Sequence, residues 1–453
     1  MRKLIGPLLG ILFISCQAIW GWTAQEELQL LVLSEMEERI AGRMAFYTLE
    51  RKLTERGFMV TTDPQIAAIG QAIARYSDRV HLHYAFYVIE GSLEPQALAL
   101  PGGYVLISRS IIDAVCQTDD DVAFILGHEI AHAALRHYAD YKLRDEQQVA
   151  YLKQLIQQQN FVAEEEQPKY SEELHNILFP YIMKLRQIKE IEADQFGALY
   201  ALRAGYRFSG STQVLRRLRR LYGEDFQLEQ DLFVPDKPSN LSTHPTLSER
   251  IEQLELFRIK AIEVSKLFPQ GRDALDQGNY QEASLIFESI LSLFPQSRTA
   301  RIGLGVAYHL QYWDSSEGDQ FLLAYPGALE LENIQLLRGR PDWMMLQRAI
   351  AEYQQVLAVE PGNKYAANNL GVAFAELRQG KEAETILREA LRVDARDFIL
   401  FNLALVLYRK YQETPQPAMK EEVVKLLRQY LQFAPSDQVA VQYLQTLEQD
   451  ERP

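Results

Sequence analysis

Val122-Ala-Phe-Ile-Leu-Gly-His128-Glu129-Ile-Ala-His132-Ala-Ala-Leu-Arg-His137 is the stretch from which the rest of the chain is read. It is apolar enough for a buried helix, and on a helix residues four apart share a face. His128 and His132 therefore aim two imidazoles at one place, the spacing that holds a metal ion. Glu129 stands beside them, where it can hydrogen-bond a water, take its proton and pass it to a leaving amine. Zn2+ suits this site because it accepts nitrogen and oxygen donors and brings the pKa of bound water to about 7.

A catalytic zinc takes three protein ligands. A third histidine six residues beyond the second is excluded, because Leu135 and Tyr138 occupy the positions where the extended motif has Gly and His. A glutamate some twenty residues on has no good candidate, since 147–163 contains no acid. The next acids set among apolar and small residues lie in Lys189-Glu190-Ile-Glu192-Ala-Asp194-Gln-Phe-Gly197-Ala198-Leu-Tyr-Ala201. Glu190 and Asp194 share a face of that helix, and Ala193, Gly197 and Ala201 form a narrow stripe. The first helix offers Gly127, Ala131 and Ala134 in return. Two small-residue stripes let helices approach closely enough for a carboxylate to reach the metal.

Working outward, residues 25–56 and 63–77 have helical spacing, and then the period changes. Residues 83–90, 96–100 and 104–108 are rich in aromatic and aliphatic side chains and read as strands around Pro101-Gly102-Gly103. From about residue 120 the pattern is helical almost to the end. The N-terminus has Arg2 and Lys3 before about a dozen largely apolar residues, the anatomy of a secretory signal. That run is short beside the ~20 residues of a membrane span. Phe13-Ile14-Ser15-Cys16 reads as a lipoprotein box, with cleavage near Ala18 or Ala24 and an uncleaved anchor as the alternatives. The expected location is the periplasm, with at most an N-terminal membrane tether. With that segment removed, Cys116 is the remaining cysteine and no intrachain disulfide is available. The net charge of −14, without a basic stretch, excludes nucleic acid as a partner class.

The second half repeats. Gln277-Gly278-Asn279-Tyr280-Gln281-Glu282-Ala283 leads to Phe287, Ile290 and Pro295, and Ala349, Tyr353, Val356 and Pro361 keep the same spacing. Ala383, Leu387, Ala390 and Ala395 do so again, with Leu304-Gly305 and Leu370-Gly371 upstream of two of the units. Small residues let paired helices cross closely while large ones fill between them. This resembles the tetratricopeptide repeat across roughly residues 265–440, an array that presents a concave surface to peptides or partner proteins. The expected organisation is a signal at 1–24, a catalytic domain at 25–262 and a repeat domain at 263–453. Pro269 is read as helping to open the second part.

The His-Glu-x-x-His helix with the later Glu-x-Glu-Ala-Asp helix is similar to the metallopeptidase family that holds the CAAX prenyl proteases, HtpX and the periplasmic protease BepA, over roughly residues 60–257. The resemblance implies an α+β zincin-like metallopeptidase domain, mostly helical with a small sheet, followed by an all-α tetratricopeptide solenoid. It implies one zinc per chain on His128, His132 and Glu190, with Glu129 and Asp194 catalytic. Gln96-Ala-Leu-Ala-Leu-Pro101-Gly102-Gly103 resembles the family's Asn-Ala-x-x-x-Pro-Gly-Gly stretch, with Gln96 where Asn is usual. It would form the edge strand beside the cleft, and Gln96, Gly102 and Gly103 become substrate-side or supporting residues. His244, in Ser242-Thr-His-Pro245, maps onto a loop histidine that takes the open zinc position and keeps the enzyme latent. Arg250 is expected to pair with the acidic helix or with substrate. The function that follows is an envelope endopeptidase acting on unfolded or misassembled proteins, with the repeats recruiting substrate or assembly machinery. The alternative is a repeat-based chaperone or scaffold with a latent protease site. Residues 140–180, long and Gln-rich, read as a lid or as a solvated helical hairpin.

Overall fold

The computed structural model describes residues 35–91, 94–137, 187–226, 245–314, 321–323, 342–393 and 396–449. The segment 1–24 with Cys16, the stretch 140–180 and His244 lie outside the described residues. The described chain divides into two compact units, one running from Glu35 to Gly303 and the other beginning at Leu304.

The first unit opens with α1 (Glu35–Glu55), β1 (Met59–Thr61) and α2 (Pro64–Ala74). Asp63 starts α2 by accepting the backbone N–H groups of Gln65 and Ile66 at 3.0 and 3.3 Å. Then come β2 (Ala85–Glu90), β3 (Ala97–Leu100) and β4 (Tyr104–Ser108), close to the three strands expected. The sheet order is β1-β2-β4-β3, with β2 and β4 parallel and the outer pairings antiparallel. β1 has no counterpart in the sequence reading, because its short run shows no alternation to mark it. Gly102 and Gly103 turn β3 into β4 with φ of 76° and 89°, values that favour glycine. A Cβ on Gly103 would lie 2.9 Å from the carbonyl oxygen of His83. Phe46, Leu49 and Leu53 of α1 pack on Ile89, Leu100 and Leu106 of the sheet.

The helices that follow are α3 (Arg109–Val115), α4 (Asp119–Ala134), α5 (described from 187 to 203) and α6 (Ser209–Tyr222). α7 (Leu247–Asp276) and α8 (Tyr280–Leu293) close the unit, and α9 (Arg298–Asp314) begins in it. Pro269, read as helping to open the second part, lies inside the 30-residue α7 and does not break it. Phe268, Gly271, Ala274 and Leu275 are buried around it, and this packing holds the helix on both sides of the missing N–H. Gly271 and Gly303 both face the Phe287 ring, the small-under-large packing that the repeat spacing implied.

Among the described residues the second unit is helical apart from its connections. It continues α9 and adds α10 (Trp343–Val359), α11 (Lys364–Glu376), α12 (Gly380–Val393), α13 (Asp397–Glu413), α14 (Pro417–Tyr430) and α15 (Gln438–Gln449). Gly305 lies under the Tyr353 ring and Gly371 under Leu387. The α+β front and all-α rear thus agree with the sequence reading.

Burial pushes the carboxyl of Glu376, at the end of α11, up to about 7. A folded pKa above the unfolded one contributes stability below about pH 4.5 that is lost as pH rises through 7. The full loss is worth about 3 kcal/mol. Glu376→Gln should therefore match the parent at pH 4 and exceed its thermal midpoint at pH 8. Thermal unfolding of the full chain at both pH values checks this, and an equal shift at both would sink it.

Candidate metal centre

α4 begins where the Asp121 carboxylate accepts the backbone N–H groups of Gln117 and Thr118 at 2.8 and 2.9 Å. Every residue from Asp121 to Ala134 is buried, so the helix has no solvent face. Its last carbonyls meet cations, with Arg79 donating to the Ala133 oxygen at 3.2 Å and Arg298 to the Ala134 oxygen at 2.5 Å.

α5 crosses α4 at Gly197 and Gly127. A Cβ on Gly197 would lie 2.5 Å from the His128 nitrogen and 2.6 Å from the Gly127 carbonyl carbon. Both are backbone atoms that cannot give way. Gly197→Ala should force the helices apart, cost at least the 1–3 kcal/mol typical of overpacking, and empty the site of metal. Zinc content of the purified chain by elemental analysis, beside its thermal midpoint, tests this; a variant retaining one zinc would refute it.

This close crossing brings Glu190 to the histidines. The Nε2 atoms of His128 and His132 are 3.1 Å apart, and each is 3.6 and 3.5 Å respectively from a Glu190 carboxylate oxygen. Tetrahedral zinc with bonds of about 2.0–2.1 Å has ligand–ligand edges of about 3.3–3.4 Å. The 3.1 Å between the nitrogens, and the 3.6 and 3.5 Å from them to Glu190 Oε2 and Oε1 in turn, are close to those edges. All three residues are buried, and they are the one cluster of this kind among the described residues.

The far nitrogen of each imidazole is also held. His128 Nδ1 lies 2.9 Å from the Asp194 carboxylate, and Arg250 grips that carboxylate through Nε and Nη2 at 2.7 and 2.6 Å. Burial by itself would raise the Asp194 carboxyl, but the charge and hydrogen bonds of Arg250 outweigh it and hold the group below the ordinary carboxylate range. Arg250 is itself fully enclosed; Asp194, Glu190 and Glu129 act against the effect of burial and keep it charged. His132 Nδ1 meets His137 Nδ1 at 3.0 Å, and His137 Nε2 is 3.5 Å from Glu192. With Nε2 of His132 facing the metal position, its Nδ1 carries the proton and His137 accepts it. Burial, which keeps His137 below the usual histidine range, favours the neutral ring this needs.

His137 reaches His132 because Arg136 leaves the helix with φ 61°. Arg136 Nη2 lies 3.2 Å from Glu38, which also takes Arg79 Nη1 and Nη2 at 2.8 and 3.2 Å. This buried Glu38–Arg79–Arg136 group escaped the sequence reading, because its members are distant in the chain and carry no motif.

Glu129 is fully buried, immediately after His128. Arg250 pairs with the acidic helix, 4.0 Å from Glu190 as well as on Asp194. Gln96 is buried just before edge strand β3; its carbonyl accepts the Ser108 N–H at 2.8 Å and its own N–H donates to Ser108 Oγ at 2.9 Å. Gly102 and Gly103 form the β3–β4 turn. His244, the expected fourth ligand, lies outside the described residues.

The model of peptidase family M48 matches residues 61–257, and the tetratricopeptide repeat model matches 268–325 and 346–398. The chain is similar to the mitochondrial metalloendopeptidase OMA1 of Saccharomyces cerevisiae, 28% identical over 199 residues, which are 43% of this chain and 52% of that protein. It is also similar to the mitochondrial metalloendopeptidase OMA1 of Homo sapiens, 27% identical over 208 residues, 41% of this chain and 34% of that protein. The chain thus spans about half or less of the length of these relatives. Among solved structures, the chain is similar to a thermophilic tetratricopeptide protein of Thermus thermophilus over 44% of this chain and 92% of that one, at 18% identity and a TM-score of 0.31. Peptidases of family M48 depend on zinc, the ion that the donor triangle fits. Residues 61–257 therefore form a peptidase family M48 domain, and tetratricopeptide repeats follow it in the chain.

Proposed function

We propose that the chain is a zinc-dependent endopeptidase of a bacterial envelope that cleaves unfolded or misassembled proteins, with its repeats recruiting the substrate or an assembly partner. The observation that carries this is the triangle of His128, His132 and Glu190 with Glu129 on the same helix. The two OMA1 relatives are metalloendopeptidases, which supports it. The signal-like N-terminus supports an exported, periplasmic location, and the pairing of such a domain with repeats supports a BepA-like arrangement. Among the described residues, no helix is long and apolar enough to cross a membrane.

His128, His132 and Glu190 would hold the zinc, which when bound supplies Lewis acidity toward the scissile carbonyl and toward water. Glu129 takes a proton from the attacking water as its oxygen adds to the carbonyl carbon. When the carbon–nitrogen bond breaks, Glu129 returns that proton to the departing amine. Asp194 keeps His128 in the tautomer whose Nε2 lone pair faces inward, and His137 does the same for His132. Edge strand β3 offers backbone groups along which an extended substrate adds.

The full chain, loaded with zinc, should cut a reduced and unfolded protein into fragments identifiable by mass spectrometry. Chelation should stop cleavage and zinc restore it. A chain that binds zinc and leaves the substrate whole, both as wild type and as His244→Ala, would overturn the peptidase and favour a scaffold.

A further inference from the structure

Three residues outside any helix are held in the repeat unit by side chains of two successive repeats. Phe321-Leu322-Leu323 belongs to no helix or strand, with Phe321 and Leu323 each 4% exposed and Leu322 more open. Asn402 of α13 accepts the Leu322 N–H through Oδ1 at 2.9 Å and donates to the Leu322 carbonyl through Nδ2 at 2.8 Å. Asn368 of α11 donates to the same carbonyl at 3.0 Å, and Asn402 also donates to Asn368 Oδ1 at 2.8 Å. The two asparagines are 34 residues apart, one repeat length, and both are wholly buried. The Arg409 guanidinium lies 4.4 Å from the centre of the Phe321 ring.

Each part of this grip has the character of ligand recognition. The hydrogen bonds go to the main chain of one residue and so read no side chain. The two enclosed side chains, Phe321 and Leu323, are those flanking the gripped residue. The segment lies within residues 315–342, which join α9 to α10, whereas α11 and α12 are joined by 377–379 alone. The repeat is thus opened where a short turn would close it, and part of the inserted chain is seated on the asparagines.

We propose that Asn368 and Asn402 form a peptide-backbone binding site, occupied by the chain's own Phe321-Leu322-Leu323, and that its exchangeable ligand is an extended protein segment with a large apolar side chain on each side of the gripped residue. Such segments are buried in folded proteins and exposed in unfolded ones, so the site selects unfolded chains without reading their sequence closely. Occupancy by the internal segment lowers apparent affinity for any outside peptide by the fraction of time the site is free. This rests on the recruiting role given to the repeats, and not on the peptidase.

The probe is a fluorescent peptide of the chain's own sequence Gly-Asp-Gln-Phe-Leu-Leu-Ala-Tyr-Pro (318–326), titrated by anisotropy into the full-length Glu129→Gln chain so that binding is read apart from cleavage. Phe321→Ala with Leu323→Ala should bind it at least tenfold more tightly than the parent. Adding Asn402→Leu, of similar shape but without hydrogen-bonding groups, should remove that gain. A double variant that keeps its thermal transition but gains no affinity overturns the proposal, as does binding that survives Asn402→Leu. Should the double variant lose its transition, hydrogen exchange on the parent decides. A Leu322 amide that exchanges sooner than the buried amides of α11 and α13, and faster with excess peptide, upholds the proposal. A Leu322 amide that opens only with those helices shows a fixed part of the array and overturns it.

Discussion

Glu129→Gln should leave one zinc per chain and slow peptide cleavage by about 10²–10⁴-fold, the usual contribution of a general base. Glutamine keeps the shape of the side chain but cannot take a proton from water. The zinc-holding residues His128, His132 and Glu190 are untouched, as are the partners that orient the two imidazoles. Arg250 loses one of the three negative groups that keep it charged and retains its two-point grip on Asp194. Single-turnover cleavage and elemental analysis on one preparation separate the outcomes. Loss of zinc with activity would make Glu129 a structural residue. Activity within tenfold of the parent would move the proton transfer to another group.

How much of this site can be read from the chain depends on how local each part is. The facing of His128 and His132 follows from helix periodicity alone, and the structure sets their Nε2 atoms 3.1 Å apart. The close approach of α4 and α5 is legible as two small-residue stripes, since Gly127 and Gly197 are the points where a Cβ would strike backbone. Spacing places Glu190 and Asp194 on one face but does not divide their roles. That division comes from depth along the helix: Glu190 meets both Nε2 atoms, while Asp194, one turn on, meets the far side of His128.

The parts that stay hidden are those fixed by tertiary contact. Nothing local marks Arg136 for a left-handed conformation; the buried carboxylate of Glu38, 98 positions earlier, gives its side chain a partner there. Without that turn His137 would not return to His132. The continuity of α7 through Pro269 is equally unreadable, because a proline's local preference is overridden by burial of the residues around it. The repeat unit shows the same limit. Its helix pairs follow from the spacing of Gly and Ala under large side chains. The seating of Leu322 on Asn368 and Asn402 depends on a chain segment from the irregular connection, which has no period to read.

Arg250 carries the largest expected effect on stability. It is 2% exposed, holds Asp194 through two hydrogen bonds, and is the cation facing three buried acids, Asp194, Glu190 and Glu129. Arg250→Met keeps most of the volume and leaves those acids without it. Breaking a buried pair from one side costs about 3–5 kcal/mol, because the remaining charge is uncompensated. The loss should be greatest in chelated protein, since a bound divalent cation supplies part of the missing positive charge. It should also depend on pH. In the parent the lowered Asp194 carboxyl contributes stability above the unfolded carboxylate pKa that is lost as pH falls through the folded value. In the variant, burial acts on Asp194 unopposed by Arg250, so the gap between the two proteins should narrow as pH falls from 7 toward 4. Arg250→Lys should recover only part of the loss, because an ammonium cannot make the two-point grip of the guanidinium. Urea unfolding of the metal-free chains, combined with Asp194→Asn in a double-mutant cycle, measures the coupling directly. If Arg250→Met costs as much in the Asp194→Asn background as in the parent, the arginine acts through packing, and its service to His128 by way of Asp194 is refuted.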